Sequence, residues 1–195
     1  MALPEEKLLF STEQYLEFER EAEERSEYYD GYIVKMAGES LSHSRICMNL
    51  AGEMRNLLRG KPCEALSPNM KVRSENKGMF AYPDLTVVCG EPVFHDRQRD
   101  VLLNPRVIFE VLSPSTGRYD RNAKRNAYLK IPSLRDYLVV SQDTVFIEHD
   151  FRAEGGSWER REYGRRTDLI QLNSLEIEVP VAEIYRRLDL PEGAA

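Results

Sequence analysis

An α/β (α+β) fold, a mixed β-sheet flanked by helices in a single domain, is predicted by three features of the chain. Helix-like and strand-like segments alternate along its length, which calls for layers of sheet and helix packed on each other. Two runs, at 81–90 and 107–112, are largely apolar, as strands covered on both faces are. A length of 195 residues suffices for one domain with a sizeable core and is short for two.

The first helix is read at 11–25. Ser11 followed by Gln14 fits a capping box, and Tyr15, Phe18 and Ala22 recur at helical spacing. Asp30-Gly31 marks a hairpin turn leading into a strand at 32–36. A second helix at 42–59 is capped by Ser40 or Ser42 and ended by Gly60, with Ile46, Leu50, Met54, Leu57 and Leu58 along one side. Short strands follow at 63–66 and 70–73. The segment 81–90 reads as one strand with Pro83 near its start. A polar stretch at 90–104 leads to the apolar strand at 107–112. A helix at 118–131 comes next, on which Asp120, Lys124 and Tyr128 share a face. A hairpin at 136–151, strands at 158–163 and 169–172 and a short helix at 181–188 complete a domain spanning 1–190. The tail, 191–195, is expected to fray.

Composition narrows the function. Acidic residues outnumber basic ones 33 to 27, for a formal charge of −6, which argues against coating nucleic acid by bulk electrostatics but leaves local binding open. No apolar run approaches the roughly 20 residues of a membrane span, and the first ten residues lack the pattern of a secretory signal. The expectation is a cytoplasmic protein with no membrane association. Cys47, Cys63 and Cys89 are odd in number and widely spaced, which argues against a disulfide framework or a zinc site and for plain core packing. His95 and His149 carry no motif and read as surface residues.

The chemistry concentrates on two acids inside apolar strands, Asp84 and Glu110. A charge buried there costs several kcal/mol unless a cation, a basic side chain or backbone amides meet it. Alternation puts Asp84 on the face of Thr86 and Val88, and Glu110 on the face of Ile108 and Leu112. If the strands are neighbours the carboxylates converge, and such a pair suits a hard cation, Mg²⁺ best. Lys124 can reach the same cleft from the following helix. Two acids, a metal and a lysine are what phosphodiester hydrolysis needs.

Blander readings stand beside these. Asp84 can be a strand-edge acid paired with an arginine, and Glu110 can pair with Lys124 or Arg106. Lys124 can belong to a solvated basic face with Arg118, Arg121, Arg125 and Lys130. His43, in the first turn of its helix, can be a surface or capping residue. Asp30 reads as turn chemistry, and Glu27 is a weaker candidate for the acidic cluster. Ser113, Ser115 and Thr116 read as a helix-capping loop more readily than as phosphate contacts.

The ordered set Pro83-Asp84, Glu110-Val111-Leu112 and Asp120-x-x-x-Lys124-x-x-x-Tyr128 stands downstream of Tyr29-Asp30-Gly31, His43 and Asn49-Leu50. It resembles the Uma-type restriction endonuclease family, formerly a domain of unknown function, within the PD-(D/E)XK nuclease superfamily. The resemblance covers roughly 10–185. It implies a restriction-endonuclease-like core in which Asp84 and Glu110 bind Mg²⁺, with Mn²⁺ as substitute, and the Val111 carbonyl also touches the metal. It further implies Lys124 assisting the attacking water, His43 as a third ligand or proton-transfer residue, DNA as substrate, and a homodimer that cuts two strands. One departure is plain: the superfamily motif has lysine two residues after the glutamate, where this chain has Leu112. Lys124 matches the variants in which that lysine has moved to the next helix. The alternative is a catalytically silent module, built on the nuclease scaffold, that binds nucleic acid or a partner.

Overall fold

The computed structural model describes residues 9–36, 38–75, 78–112 and 118–193, with only the backbone of 118–121. Helix α1, Thr12–Glu21, opens with the expected capping box: the Ser11 hydroxyl accepts from the Gln14 N–H, and the Gln14 side chain accepts from the Ser11 N–H. Its buried stripe differs from the expected one. Tyr15, Leu16 and Glu19 face inward, while Phe18 is 47% exposed. The reason lies in strand β1, Ser26–Tyr29, which takes the Tyr15 hydroxyl on the Ser26 carbonyl and aims the Ser26 N–H at the Glu19 carboxylate. A polar anchor thus sets the rotation of the helix in place of Phe18. Asp30-Gly31 turns the chain at φ of 51° and 91° into β2, Tyr32–Lys35.

Helix α2 runs Leu41–Leu57, with Ser40 as its cap. Strands β3 (Cys63–Leu66) and β4 (Lys71–Arg73) follow. The segment expected to be one strand is two, β5 (Phe80–Ala81) and β6 (Leu85–Cys89), lying in different sheets. Pro83 has no N–H to donate, so the ladder breaks there and the chain crosses from one sheet to the other. Asp84 stands at that corner. After β7 (Val101–Leu102) comes β8 (Val107–Leu112), then α3 (Arg118–Tyr128), β9 (Asp136–Ser141), β10 (Ile147–Arg152), β11 (Trp158–Tyr163), β12 (Leu169–Leu172), β13 (Ile177–Pro180) and α4 (Val181–Ile184). The loop at Ser113, Ser115 and Thr116 lies outside the described residues.

Among the described residues the strands form three sheets, ordered β2-β1-β5-β4-β7, β11-β10-β9-β8-β6-β3 and β12-β13. Strand β8 is central in the second, antiparallel to β6 and parallel to β9. Its alternation divides the core. Val107, Phe109 and Val111 pack with Ile46, Leu50 and Met54 of α2. Ile108 packs on the other face, with Ala127 and Tyr128 of α3. Glu110, offset by two from Ile108, points to the α3 side.

Three further expectations meet the structure here. Cys63 and Cys89 are opposite each other in the β3–β6 register and form a disulfide, contrary to the spacing argument. Strand pairing brings together cysteines that sequence distance keeps apart; Cys47 is the free thiol. His149 is fully buried and bonds the Asp136 carboxylate at 2.8 Å, so it is a core residue rather than a surface one. In the tail, the Pro191 carbonyl accepts the Val145 N–H, and the Gly193 N–H donates to the carbonyls of Val145 and Gly164. No helix among the described residues is long and apolar enough to cross a membrane.

Candidate active site

A cavity of about 1630 Å³ opens between the sheets and α2 along its length, and Glu27, His43, Asp84, Glu110, Val111 and Lys124 all line it. They arrive from five places in the fold. Glu27 comes from β1, His43 from α2, Asp84 from the Pro83 corner, Glu110 and Val111 from β8, and Lys124 from α3.

Asp84 is locked onto β8: its Oδ2 accepts the Val111 N–H at 2.6 Å, while its Oδ1 lies 3.4 Å from His43 Nε2. The peptide between Glu110 and Val111 therefore connects the two acids. Lys124 Nζ donates to Glu27 Oε1 at 2.8 Å and stands 3.7 Å from Glu110 Oε1. The Tyr128 hydroxyl donates to the same Glu110 oxygen at 2.8 Å. Lys124 and Tyr128, four residues apart on α3, thus approach Glu110 together. An adjacent side of α3 is used otherwise, since Arg125 forms two hydrogen bonds with Asp150. Arg106, the other candidate partner of Glu110, instead donates to the Ser174 carbonyl at 3.3 Å.

The side chains of Glu27, Asp84 and Glu110 are only 13–16% exposed, so their charges are poorly solvated. Burial raises the Glu110 carboxyl to about 7; Lys124 pulls it down, and the Asp84 and Glu27 carboxylates push it further up. Burial works against the charge on Lys124, yet Glu110 and Glu27 hold its ammonium well above the ordinary lysine range. The hydrogen bond to Asp84, helped by Cys47 and opposed by burial, pushes His43 up to about 11. At neutral pH His43 is therefore an imidazolium, a donor rather than a base.

The carboxylates of Glu27, Asp84 and Glu110, with that of Glu39 at His43 Nδ1, outnumber the two cations Lys124 and His43. Asp84, Glu110 and the Val111 carbonyl offer oxygen only, the donor chemistry of a hard divalent cation. Among the described residues, the one set of three His, Cys, Asp or Glu ligand atoms lying within 4.8 Å of one another is Glu39, His43 and Cys47.

Sequence reasoning marked Asp84, Glu110, Lys124 and His43, and the structure brings all four to one cavity. It ranked Glu27 low, because that residue precedes a turn signal and shares no local pattern with the others. Tyr128 was visible as the third member of the helical face, though not as the hydroxyl on Glu110.

Comparison with known proteins gives the family and the fold. A family model named Uma2 and described as "Putative restriction endonuclease" matches residues 12–182. Two uncharacterized proteins of Synechocystis sp. are similar, one 36% identical over 91% of this chain and 92% of its own length, the other 32% identical over 81% and 89%. A crystal structure titled as a putative nuclease belonging to DUF820, from Anabaena variabilis, superposes with a TM-score of 0.76 over 90% of this chain and 97% of that chain. At 15% identity it shares the fold.

Proposed function

The chain belongs to the Uma2 family of putative restriction endonucleases, and from that premise we propose that it hydrolyses DNA phosphodiester bonds as a Mg²⁺-dependent endonuclease of the cytoplasm. The observation that carries this reading is the meeting of Asp84, Glu110 and Lys124 in one cavity. Asp84, Glu110 and the Val111 carbonyl would hold Mg²⁺, with Mn²⁺ as substitute. Bound there, the ion supplies polarisation of the phosphate and a more acidic water.

The remaining residues do their work directly. Lys124, fixed by Glu27, presents an ammonium beside Glu110, where it can orient the attacking water and offset the charge that develops on the phosphate. With its Nδ1 free of metal, His43, charged and ion-paired with Asp84, can pass a proton to a phosphate oxygen or a leaving group. Arg55 and Arg59, exposed on α2 and just beyond it, line the same cavity and can meet backbone phosphates. A homodimer would present two such sites to the two strands.

The test is cleavage of plasmid, linear and branched DNA in Mg²⁺ and Mn²⁺. We expect cleavage by the unaltered chain, its loss in Asp84→Asn and Glu110→Gln, and a fall of about 10²–10³-fold in Lys124→Ala. Full activity in either acid variant would overturn the assignment. A second reading, the catalytically silent module, draws on two observations: Lys124 is tied to Glu27, and Leu112 occupies the usual lysine position. DNA binding without cleavage under every ion would favour it.

A further inference from the structure

Beside the acids, the first two turns of α2 carry a different kind of donor set. His43 and Cys47 are four residues apart on one face of the helix, and Glu39 reaches them from just before the cap. His43 Nδ1 lies 3.2 Å from Glu39 Oε2 and 3.5 Å from Cys47 Sγ. Tetrahedral bonds of about 2.0–2.3 Å to one zinc would put a nitrogen and an oxygen ligand roughly 3.4 Å apart, and a nitrogen and a sulfur roughly 3.6 Å apart. Two edges of such a tetrahedron are therefore already close to length, and the third pair, Glu39 and Cys47, lies within 4.8 Å.

The other ring nitrogen supplies a second, independent feature. His43 Nε2 faces Asp84 Oδ1 at 3.4 Å, the carboxylate–histidine arrangement that orients an imidazole toward a metal and strengthens it as a ligand. The backbone beneath is fixed. The Ser40 side chain caps the His43 N–H and also bonds Gln142, whose amide donates to the Leu112 carbonyl at the end of β8. All three donors line the cavity, which leaves a fourth position open.

We infer that Glu39, His43 and Cys47 form a second cation site, selective for a borderline metal of the Zn²⁺ class rather than for Mg²⁺. Thiolate and imidazole prefer Zn²⁺ and Co²⁺, whereas the neighbouring acids offer oxygen alone. Binding converts the Cys47 thiol to thiolate, uses the lone pair on His43 Nδ1 and releases the displaced protons to solvent. Cysteine spacing cannot reveal a site of this kind, because it contains a single cysteine. The inference does not depend on nuclease activity.

Cobalt is the probe, titrated into the whole chain with the Cys63–Cys89 bridge intact and one titratable thiol. We expect one equivalent to produce a thiolate-to-cobalt charge-transfer band that Zn²⁺ then abolishes. Glu110→Gln should keep the band, and Cys47→Ser should lose it with its fold intact by circular dichroism. Asp84→Asn should weaken cobalt binding about 10–100-fold. Absence of the band in the unaltered chain, or its persistence in Cys47→Ser, would overturn the inference. Zinc-edge X-ray absorption of the unaltered chain needs no variant. One sulfur at about 2.3 Å supports the site, and a shell of nitrogen and oxygen alone refutes it.

Discussion

Glu110 carries the clearest consequences for single residues. Its folded-state carboxyl titrates near 7, against an ordinary value of 4.5, so between those values the folded chain holds more protons than the unfolded one. Stability must then fall as pH rises through that window. Denaturant titrations from pH 4.5 to 8 should show this decline in the unaltered chain and a flatter profile in Glu110→Gln, with the variant gaining most at the alkaline end. Tyr128→Phe removes one donor from the same carboxylate while keeping the ring packed in the core. We expect a loss of about 1–3 kcal/mol at pH 8, read from urea unfolding, and a further upward move of the Glu110 titration. Asp84 and Glu110 were legible in the sequence because an acid in an apolar run demands an explanation, and Lys124 was legible through its helical spacing with Asp120 and Tyr128. Glu27 and His149 were not: one stands among other acids, and the other occupies a strand whose polar residues all look alike until the pairing is known.

At the scale of elements, the helices and most strands, the four-residue β2, β3 and β12 among them, were legible, whereas β5, β7 and β13 were not. Helix α2 announces itself through Ser40, its apolar stripe and Gly60, all local signals. Strands β5, β7 and β13 have two to four residues each and owe their form to neighbours rather than to their own pattern. The corner at Pro83 was misread as continuous strand because apolar residues flank it on both sides, although the missing N–H was there to be weighed. The β3–β6 bridge belongs to this scale as well. It closes a loop between positions 26 apart, and in the chain-entropy account such a loop contributes about 3–4 kcal/mol. Joint replacement of Cys63 and Cys89 by serine should lower unfolding free energy by up to that amount. A thiol count on the folded, unreduced protein should find one reactive group.

For the molecule as a whole, the layered fold followed from the alternation of elements, while its division into separate sheets did not, since only the crossing at Pro83 reveals it. Assembly is a property of this scale. The expected homodimer should give twice the chain mass of 22.6 kDa by light scattering at working concentration, and a monomer mass would remove the two-site arrangement. The cluster itself is scattered along the chain, and its closing contact, Lys124 to Glu27, joins residues 97 positions apart. A ribosome-bound chain short of α3 therefore has only fragments of a cleft. If this protein cuts DNA, synthesis carries its own safeguard up to that point, because a product that ends before α3 lacks Lys124 and cannot harm the genome of the cell that makes it.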